Sequence, residues 1–232
     1  MPEAHTSTSD LSGRTVLIAG ATSAAGDAAT RALLAAGAGV IATGRDAAKL
    51  APLAALGART ETIDLTDEAA VNALAERVRH DGPVDGVLHL VGGWRGGGGL
   101  AGQTEADYRA LETSLTALRN VTRAFDAALR ASPESRVAII SSTAVTRPLA
   151  GGANYAAVKA ASEAWTRAVA HGFAKAARDG DTALHAAATI FRVRALAGLE
   201  LQVADAFVAL WDADASAVND TMLEIAPHPT SV

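Results

Sequence analysis

Three side chains between positions 142 and 159, Ser142, Tyr155 and Lys159, are of types that can exchange a proton with a bound oxygen. Tyr155 and Lys159 stand four residues apart, so on a helix they share one face. An ammonium beside a phenol stabilises the phenolate and draws the tyrosine pKa down from its ordinary ~10, which lets the phenol exchange a proton near neutral pH. Ser142 follows an apolar run that reads as a strand, where its hydroxyl could hold a substrate oxygen. Tyr-x-x-x-Lys alone arises by chance on many helices, so its meaning rests on the elements that position it.

Those elements alternate. Strand-like runs are predicted at 14–19, 40–43, 60–63, 84–91, 137–140, 184–190 and 221–225, and helices at 24–37, 46–56, 67–79, 104–129, 155–177 and 203–211. Strands alternating with helices of this length imply βαβ units and one parallel sheet of about seven strands. The chain has 232 residues, half of them hydrophobic, which suits one α/β domain over 13–226 with a flexible N-terminus at 1–12 and a tail at 227–232. A net charge of −5 without a basic cluster argues against nucleic acid as a partner. There is no cysteine, so disulfides, thiolate nucleophiles and Cys-ligated zinc are excluded. A polar N-terminus without a signal-like apolar core, and no run near the ~20 apolar residues of a membrane span, lead us to expect a cytoplasmic protein with no membrane partner.

The first strand is followed by Ala19-Gly20-Ala21-Thr22-Ser23-Ala24-Ala25-Gly26. Glycines at a strand-to-helix turn let the backbone approach a pyrophosphate, which then sits on the helix N-terminus. Ala24 stands where such turns often have a further glycine, and a simple tight turn is the competing reading. The second strand ends in Gly44-Arg45 rather than in a carboxylate that would take ribose hydroxyls. An arginine there suits a 2'-phosphate, which favours NADP(H) over NAD(H). Asp64-Leu65, after the third strand, either holds an adenine edge or forms a turn. The fold expected is a Rossmann-type, doubly wound parallel sheet.

With these residues in place the chain resembles the short-chain dehydrogenase/reductase family, of classical size, from about residue 11 to 225. The matching pieces are the glycine turn at 19–26, Asp64-Leu65, Leu90-Val91-Gly92-Gly93, Ser141-Ser142 and Tyr155-x-x-x-Lys159. The resemblance implies that Ser142 orients a substrate carbonyl, Tyr155 donates or accepts the proton, and Lys159 binds the nicotinamide ribose and lowers the tyrosine pKa. Cofactor contacts are then expected from Gly20, Thr22, Ser23, Ala24, Ala25, Gly26, Arg45, Asp64, Leu65, Val91, Gly92, Gly93 and Thr189, together with Tyr155 and Lys159. Where the family has an asparagine that helps to hold a proton-relaying water, this chain has Ser114, whose hydroxyl is the expected substitute. The family's Asn-Asn-Ala-Gly is replaced by Leu90-Val91-Gly92-Gly93, and its Pro-Gly after the sixth strand by Thr189-Ile190-Phe191. The segment 192–201 is too short for a full substrate lid. The run Val91-Gly92-Gly93-Trp94-Arg95-Gly96-Gly97 is similar to dihydropteridine reductases, which also carry serine on the fourth helix but lack the catalytic serine.

The expected activity is hydride transfer between NADP(H) and a small carbonyl/alcohol substrate. The alternatives are a dihydropteridine-type reductase and a catalytically weak nucleotide- or partner-binding protein on the same fold. Trp94 either stacks on a flat substrate or packs its turn, and Asn154 and Arg147 flank the pocket. The glycines at 96–99 form either a flap or a surface loop, and His89 reads as a satisfied core residue. No His/Asp/Glu cluster has metal-ligand spacing, so no metal is expected. Small-residue faces on the long fourth and fifth helices, as at Ala156, Ala157, Ala160 and Ala161, fit the family's packing into homodimers or homotetramers.

Overall fold

The computed structural model describes residues 9–227, so the expected tail lies almost wholly outside the described residues, as do the first eight positions. Residues 9–12 belong to the folded body: Leu11 is fully buried and its N–H donates to the Ala36 carbonyl at 2.7 Å.

Seven strands, β1 (Thr15–Ala19), β2 (Gly39–Gly44), β3 (Arg59–Thr62), β4 (Gly86–His89), β5 (Ser135–Ser142), β6 (Ala186–Val193) and β7 (Thr221–Glu224), form one sheet in the order β3-β2-β1-β4-β5-β6-β7. Every neighbouring pair is parallel. The helices between them are α1 (Ala24–Ala35), α2 (Ala47–Ala55), α3 (Glu68–Asp81), α4 (Glu105–Ala131), α5 (Ala153–Asp179), α6 (Glu200–Val208) and the short α7 (Ala215–Val218). Side-chain caps start the early helices. Ser23 accepts from the Gly26 N–H, Asp46 from Ala48 and Lys49, Asp67 from Ala70, and Thr104 from Asp107.

The core lies in two layers because the central strands are covered on both faces. On one face Leu33 of α1, Leu50 and Leu53 of α2, and Val203 and Phe207 of α6 pack with Val16, Ile18 and Leu88. On the other, Leu74 of α3, Val121, Phe125 and Leu129 of α4, and Phe173 of α5 pack with Leu17, Val87 and Val137. Burying each such side chain contributes about 1.5–3 kcal/mol.

Two strands outrun their sequence-based limits. β5 was expected at 137–140 but extends from Ser135 to Ser142, and β6 was expected to end at 190 but runs to Val193, paired residue for residue with β5 as far as Ser142 opposite Val193. The extensions contain Arg136 and Arg192, charged residues that read as loop. Arg136 is fully buried, with its guanidinium donating to the carbonyls of Leu210 (2.8 Å), Ala213 (2.8 Å), Ser135 (2.9 Å) and His185 (3.1 Å). Arg192 is neutralised by Glu163 of α5 through two hydrogen bonds of 2.8 and 2.6 Å. Conversely, β4 is half the length of its predicted 84–91 run.

All seven strands point the same way, so their C-terminal ends share one edge. Strand order reverses between β1 and β4, and ligands of such sheets bind in the crevice outside that point. Ser142, the glycine turn after β1 and the segment after β4 all lie there.

Candidate active site

Ser142 is the last residue of β5, and Tyr155 lies in the first turn of α5. The parallel crossover brings them together: the Ser142 hydroxyl lies near enough to the Tyr155 phenol to act on its pKa, and it accepts from the Ala144 N–H at 3.1 Å. Lys159 lies one turn further along α5, with its ammonium 5.8 Å from the Tyr155 ring centroid. The same ammonium donates to the Ile140 carbonyl of β5 at 2.7 Å.

The electrostatics differ from the simple ammonium–phenol picture. Burial raises the Tyr155 pKa above its ordinary value, and the hydrogen bond from Ser142 works in the opposite direction. The Lys159 ammonium donates to the Ile140 carbonyl and is not among the groups that move the Tyr155 pKa. Burial pushes Lys159 itself down to about 8 from 10.5, with Glu163 working the other way. A phenol kept protonated is suited to donating its proton to a carbonyl oxygen.

The depressed lysine has a measurable consequence. Between about pH 8 and 10.5 the unfolded chain holds a proton on Lys159 that the folded chain has lost, so stability rises with pH across that window. The cost of the buried charge is present in full below pH 8. Lys159→Met abolishes this contribution. Urea denaturation at pH 7 and pH 10 is therefore expected to show wild type gaining stability relative to Lys159→Met as the pH rises. An unchanged difference between the two proteins would contradict it.

Beneath the site runs a network that spacing alone does not show. Glu163, one turn beyond Lys159, accepts from the Ser141 hydroxyl at 2.6 Å and from Arg192, which also donates to the Thr146 hydroxyl at 3.1 Å. It ties α5, β5, β6 and the turn after Ser142 together and fixes the backbone that carries the serine. Glu163 could have been suspected from its i+4 spacing to Lys159, whereas its partner Arg192 could not.

The glycine turn forms a close-fitting cradle at the N-terminus of α1. A Cβ at Gly26 would stand 2.0 Å from the Ala21 carbonyl oxygen, and at Gly20, which holds φ of +86°, an added Cβ would stand 3.0 Å from Val91. Thr22, Ser23 and Ala24 are exposed, leaving the first helical N–H groups open to an anion, while Ala25 and Gly26 are buried. A Cβ at Gly44 would stand 2.5 Å from the Thr22 side chain, so β2 has no room for a carboxylate at that position. Arg45 and Asp64 line the cleft of about 190 Å³ beside this cradle, with Leu65, Val91 and Gly92. Asp64 is a turn carboxylate as well as a lining residue: it accepts from the Thr66 N–H and hydroxyl, and those bonds, with Arg45 nearby, hold its pKa down. The cleft joins a larger cavity of about 1060 Å³ through shared walls at Ser23 and residues 90–92. That cavity is walled by Ser142, Tyr155, Lys159, Gly93 and apolar groups such as Ile140 and Val193. A glycine-lined anion cradle leading to an acid/base centre fits a dinucleotide in residue type and order.

The family model for short chain dehydrogenases matches residues 14–177. The chain belongs to the short-chain dehydrogenase family. It is thus an NAD(P)-dependent oxidoreductase. No curated protein gives a significant match. Among solved structures it is similar to a Pseudomonas syringae protein assigned to the short chain dehydrogenases, at 24% identity over 97% of this chain and 100% of that one, with a TM-score of 0.82. It is also similar to the Escherichia coli oxidoreductase yciK, at 19% identity over 95% and 98% of the two chains, TM-score 0.82. A Shigella flexneri protein assigned to the same family and complexed with NADP aligns at 20% identity over 95% and 100%, TM-score 0.81. At these identities the likeness shows the fold.

Within this short-chain dehydrogenase, three expected site residues are placed differently. Thr189 lies in mid-β6, fully buried, with its hydroxyl donating to the Val218 carbonyl at 2.8 Å. The strand continues past it, so 193–197 rather than 189–191 borders the cavity. Ser114 is buried and its hydroxyl turns back to donate to the Leu111 carbonyl at 2.8 Å, so its one proton is spent within α4. Asn154 does not line the cavity: its N–H donates to the Gln103 side chain and its amide to the Thr104 carbonyl. Trp94 is 66% exposed and borders the cavity, with one edge of its indole against Gly96.

The glycine run is a stapled loop. Gly97, Gly98 and Gly99 all hold positive φ, and a Cβ at Gly96 would stand 2.3 Å from the Gly151 carbonyl oxygen. Gln103 donates to the carbonyls of Gly97, Gly99 and Gly151, tying the run to the residues before α5. Asn120 does the same on the other side, donating to the Leu65 and Thr66 carbonyls at 3.1 Å each. Neither residue carries a motif that would have found it.

Proposed function

We propose that this short-chain dehydrogenase reduces an apolar carbonyl compound with NADPH, with Tyr155 as the proton donor. The observation that carries the reading is the convergence of Ser142, Tyr155 and Lys159 on one wall of a largely apolar cavity that opens into the glycine cradle. Ser142 would hold the carbonyl oxygen, and Tyr155, kept protonated by burial, would give that oxygen its proton. When bound, the nicotinamide supplies the hydride. Lys159 would hold the nicotinamide ribose and fix the orientation of Tyr155. Arg45, exposed beside Asp64 at the end of β2, is the group that would pair a 2'-phosphate, which supports NADP(H) over NAD(H). The Shigella flexneri neighbour, complexed with NADP, supports the same choice.

Trp94 favours a second reading. An exposed indole at the cavity mouth can stack on a flat ring, as a quinonoid dihydropterin would require. The exposed alanines of α5, including Ala157, Ala160, Ala161 and Ala164, support a homo-oligomer packed through that helix and α4.

The experiment is a fluorescence titration with NADPH and NADH followed by NADPH oxidation on a panel of apolar ketones, aldehydes and a quinonoid dihydropterin. Tighter binding of NADPH with turnover of ketones or aldehydes is expected. Turnover of the pterin alone would promote the second reading. Failure to bind either nucleotide at millimolar levels would overturn both.

A further inference from the structure

His89 ends β4 at the edge where the active site opens, and its side chain is buried beside α4 and α5. Its Nε2 lies 3.1 Å from the Ser114 carbonyl oxygen. A carbonyl can only accept, so Nε2 carries the proton and Nδ1 presents a lone pair. That Nδ1 is the one fully buried side-chain polar atom without a protein partner among the described residues. A buried acceptor left without a partner is costly and requires an explanation.

The nearest explanation is on α5. The Lys159 ammonium has three N–H donors, of which one is spent on the Ile140 carbonyl. It lies close enough to His89 to act on the ring electrostatically, and it reaches past Gly92, where an added Cβ would stand 3.4 Å from Nζ. The Ser114 hydroxyl gives its one proton to the Leu111 carbonyl, so it is not a donor to Nδ1.

We propose that His89 is a positioning residue for Lys159: its Nδ1 accepts a hydrogen bond from a water shared with the Lys159 ammonium, while its Nε2–H is anchored on the Ser114 carbonyl. This rests on the reading of Tyr155 and Lys159 as the proton-transfer pair. His89 takes over the task that the Ser114 hydroxyl was expected to perform, holding the polar group behind the lysine from β4 instead of from α4. The imidazole is neutral, its single proton on Nε2. Burial and the Lys159 charge hold its pKa down to about 3, so at neutral pH it can only accept at Nδ1. The groups facing Lys159 are then the Ile140 carbonyl from β5, Tyr155 and Glu163 from its own helix, and His89 from β4.

The test has a spectroscopic part that needs no substrate. Nitrogen-15 NMR of histidine-labelled, ligand-free protein is expected to show His89 as the Nε2–H tautomer across pH 6–9. Its Nδ1 resonance should be displaced in the direction of a hydrogen-bonded acceptor, and should return toward the free value in Lys159→Met. An Nδ1–H tautomer, or an Nδ1 signal indifferent to Lys159→Met, overturns the proposal whether or not the protein turns over a carbonyl substrate. The kinetic part compares His89→Leu with His89→Asn, whose amide oxygen falls near the Nδ1 position. His89→Leu is expected to lose about tenfold in kcat, as for one hydrogen bond, with KM for NADPH unchanged. His89→Asn is expected to recover most of that loss. Wild-type kcat in a folded His89→Leu variant also overturns it. If His89→Leu does not fold, the tautomer and its response to Lys159→Met decide alone. Wild-type protein that never oxidises NADPH would count against the proposed reductase while leaving the NMR result to decide the hydrogen bond.

Discussion

Tyr155→Phe is expected to lower kcat for carbonyl reduction by about 10²–10⁴-fold, the usual worth of a positioned general acid, and to leave NADPH binding little changed. The substitution removes one oxygen atom from a site whose other contacts survive it. The Ser142 hydroxyl keeps its bond from the Ala144 N–H, the Lys159 ammonium keeps its bond to the Ile140 carbonyl, and the ring remains beside the lysine. The Glu163–Arg192 pair, which holds the strand ends in place, touches none of the lost atom's partners except through the backbone of Ser141 and Ser142. The expected result is therefore a kcat effect with an unaltered fold, read by steady-state kinetics beside nucleotide titration and thermal melting. A weakened NADPH affinity of the same size as the kcat loss would mean that Tyr155 serves binding rather than proton transfer. Undiminished turnover would mean that another group donates the proton, and the reading of this site as a tyrosine-dependent reductase would fall.

What could be read without coordinates divides along a physical line. Elements and motifs set by local spacing were legible. The alternation of strands and helices predicted the doubly wound sheet, and the helix starts expected at 24, 46, 67 and 104 fall within one residue of the observed ones. Tyr155 and Lys159 share a helix face because of their spacing, and the parallel crossover from β5 then brings Ser142 to them. Features whose partners lie far along the chain were hidden. Arg136 and Arg192 made the ends of two central strands look like loops, because most of the carbonyls that accept from Arg136, and the Glu163 carboxylate that neutralises Arg192, come from distant segments. Thr189 followed directly: a strand taken to end at 190 puts the residues that border the cavity at 189–191, whereas β6 runs on to Val193 and the bordering residues are 193–197. Gln103 reaches 48 residues to Gly151, Asn120 reaches 55 to Leu65, and His89 reaches 25 to Ser114. Each looks unremarkable in sequence, because hydrogen bonds to backbone carbonyls have no signature in residue type alone.

Arg45→Glu is expected to reverse the nucleotide preference. Arg45 is the guanidinium at the end of β2, exposed and beside Asp64, in the cleft that also contains Gly44 and Thr22. Position 44 has no space for a side chain because of Thr22, so discrimination between the two nucleotides falls to the next residue. A charge-assisted hydrogen bond is worth about 1.5–3 kcal/mol, so its removal should weaken NADPH binding roughly 10–150-fold. A carboxylate in its place adds repulsion toward a 2'-phosphate and offers an acceptor to ribose hydroxyls, so NADH affinity should hold or improve. The same substitution removes a positive charge that helps keep Asp64 ionised, which brings two carboxylates to one cleft and further opposes an anionic ligand. Fluorescence titrations at two salt concentrations read both effects. NADPH binding to wild type should weaken with salt more steeply than NADH binding, and that difference should vanish in Arg45→Glu, because the extra term is a partly exposed ion pair that salt screens. Equal losses for both nucleotides would assign Arg45 to the common adenosine half instead. Unchanged NADPH affinity would leave the preference for NADP(H) without a residue to carry it.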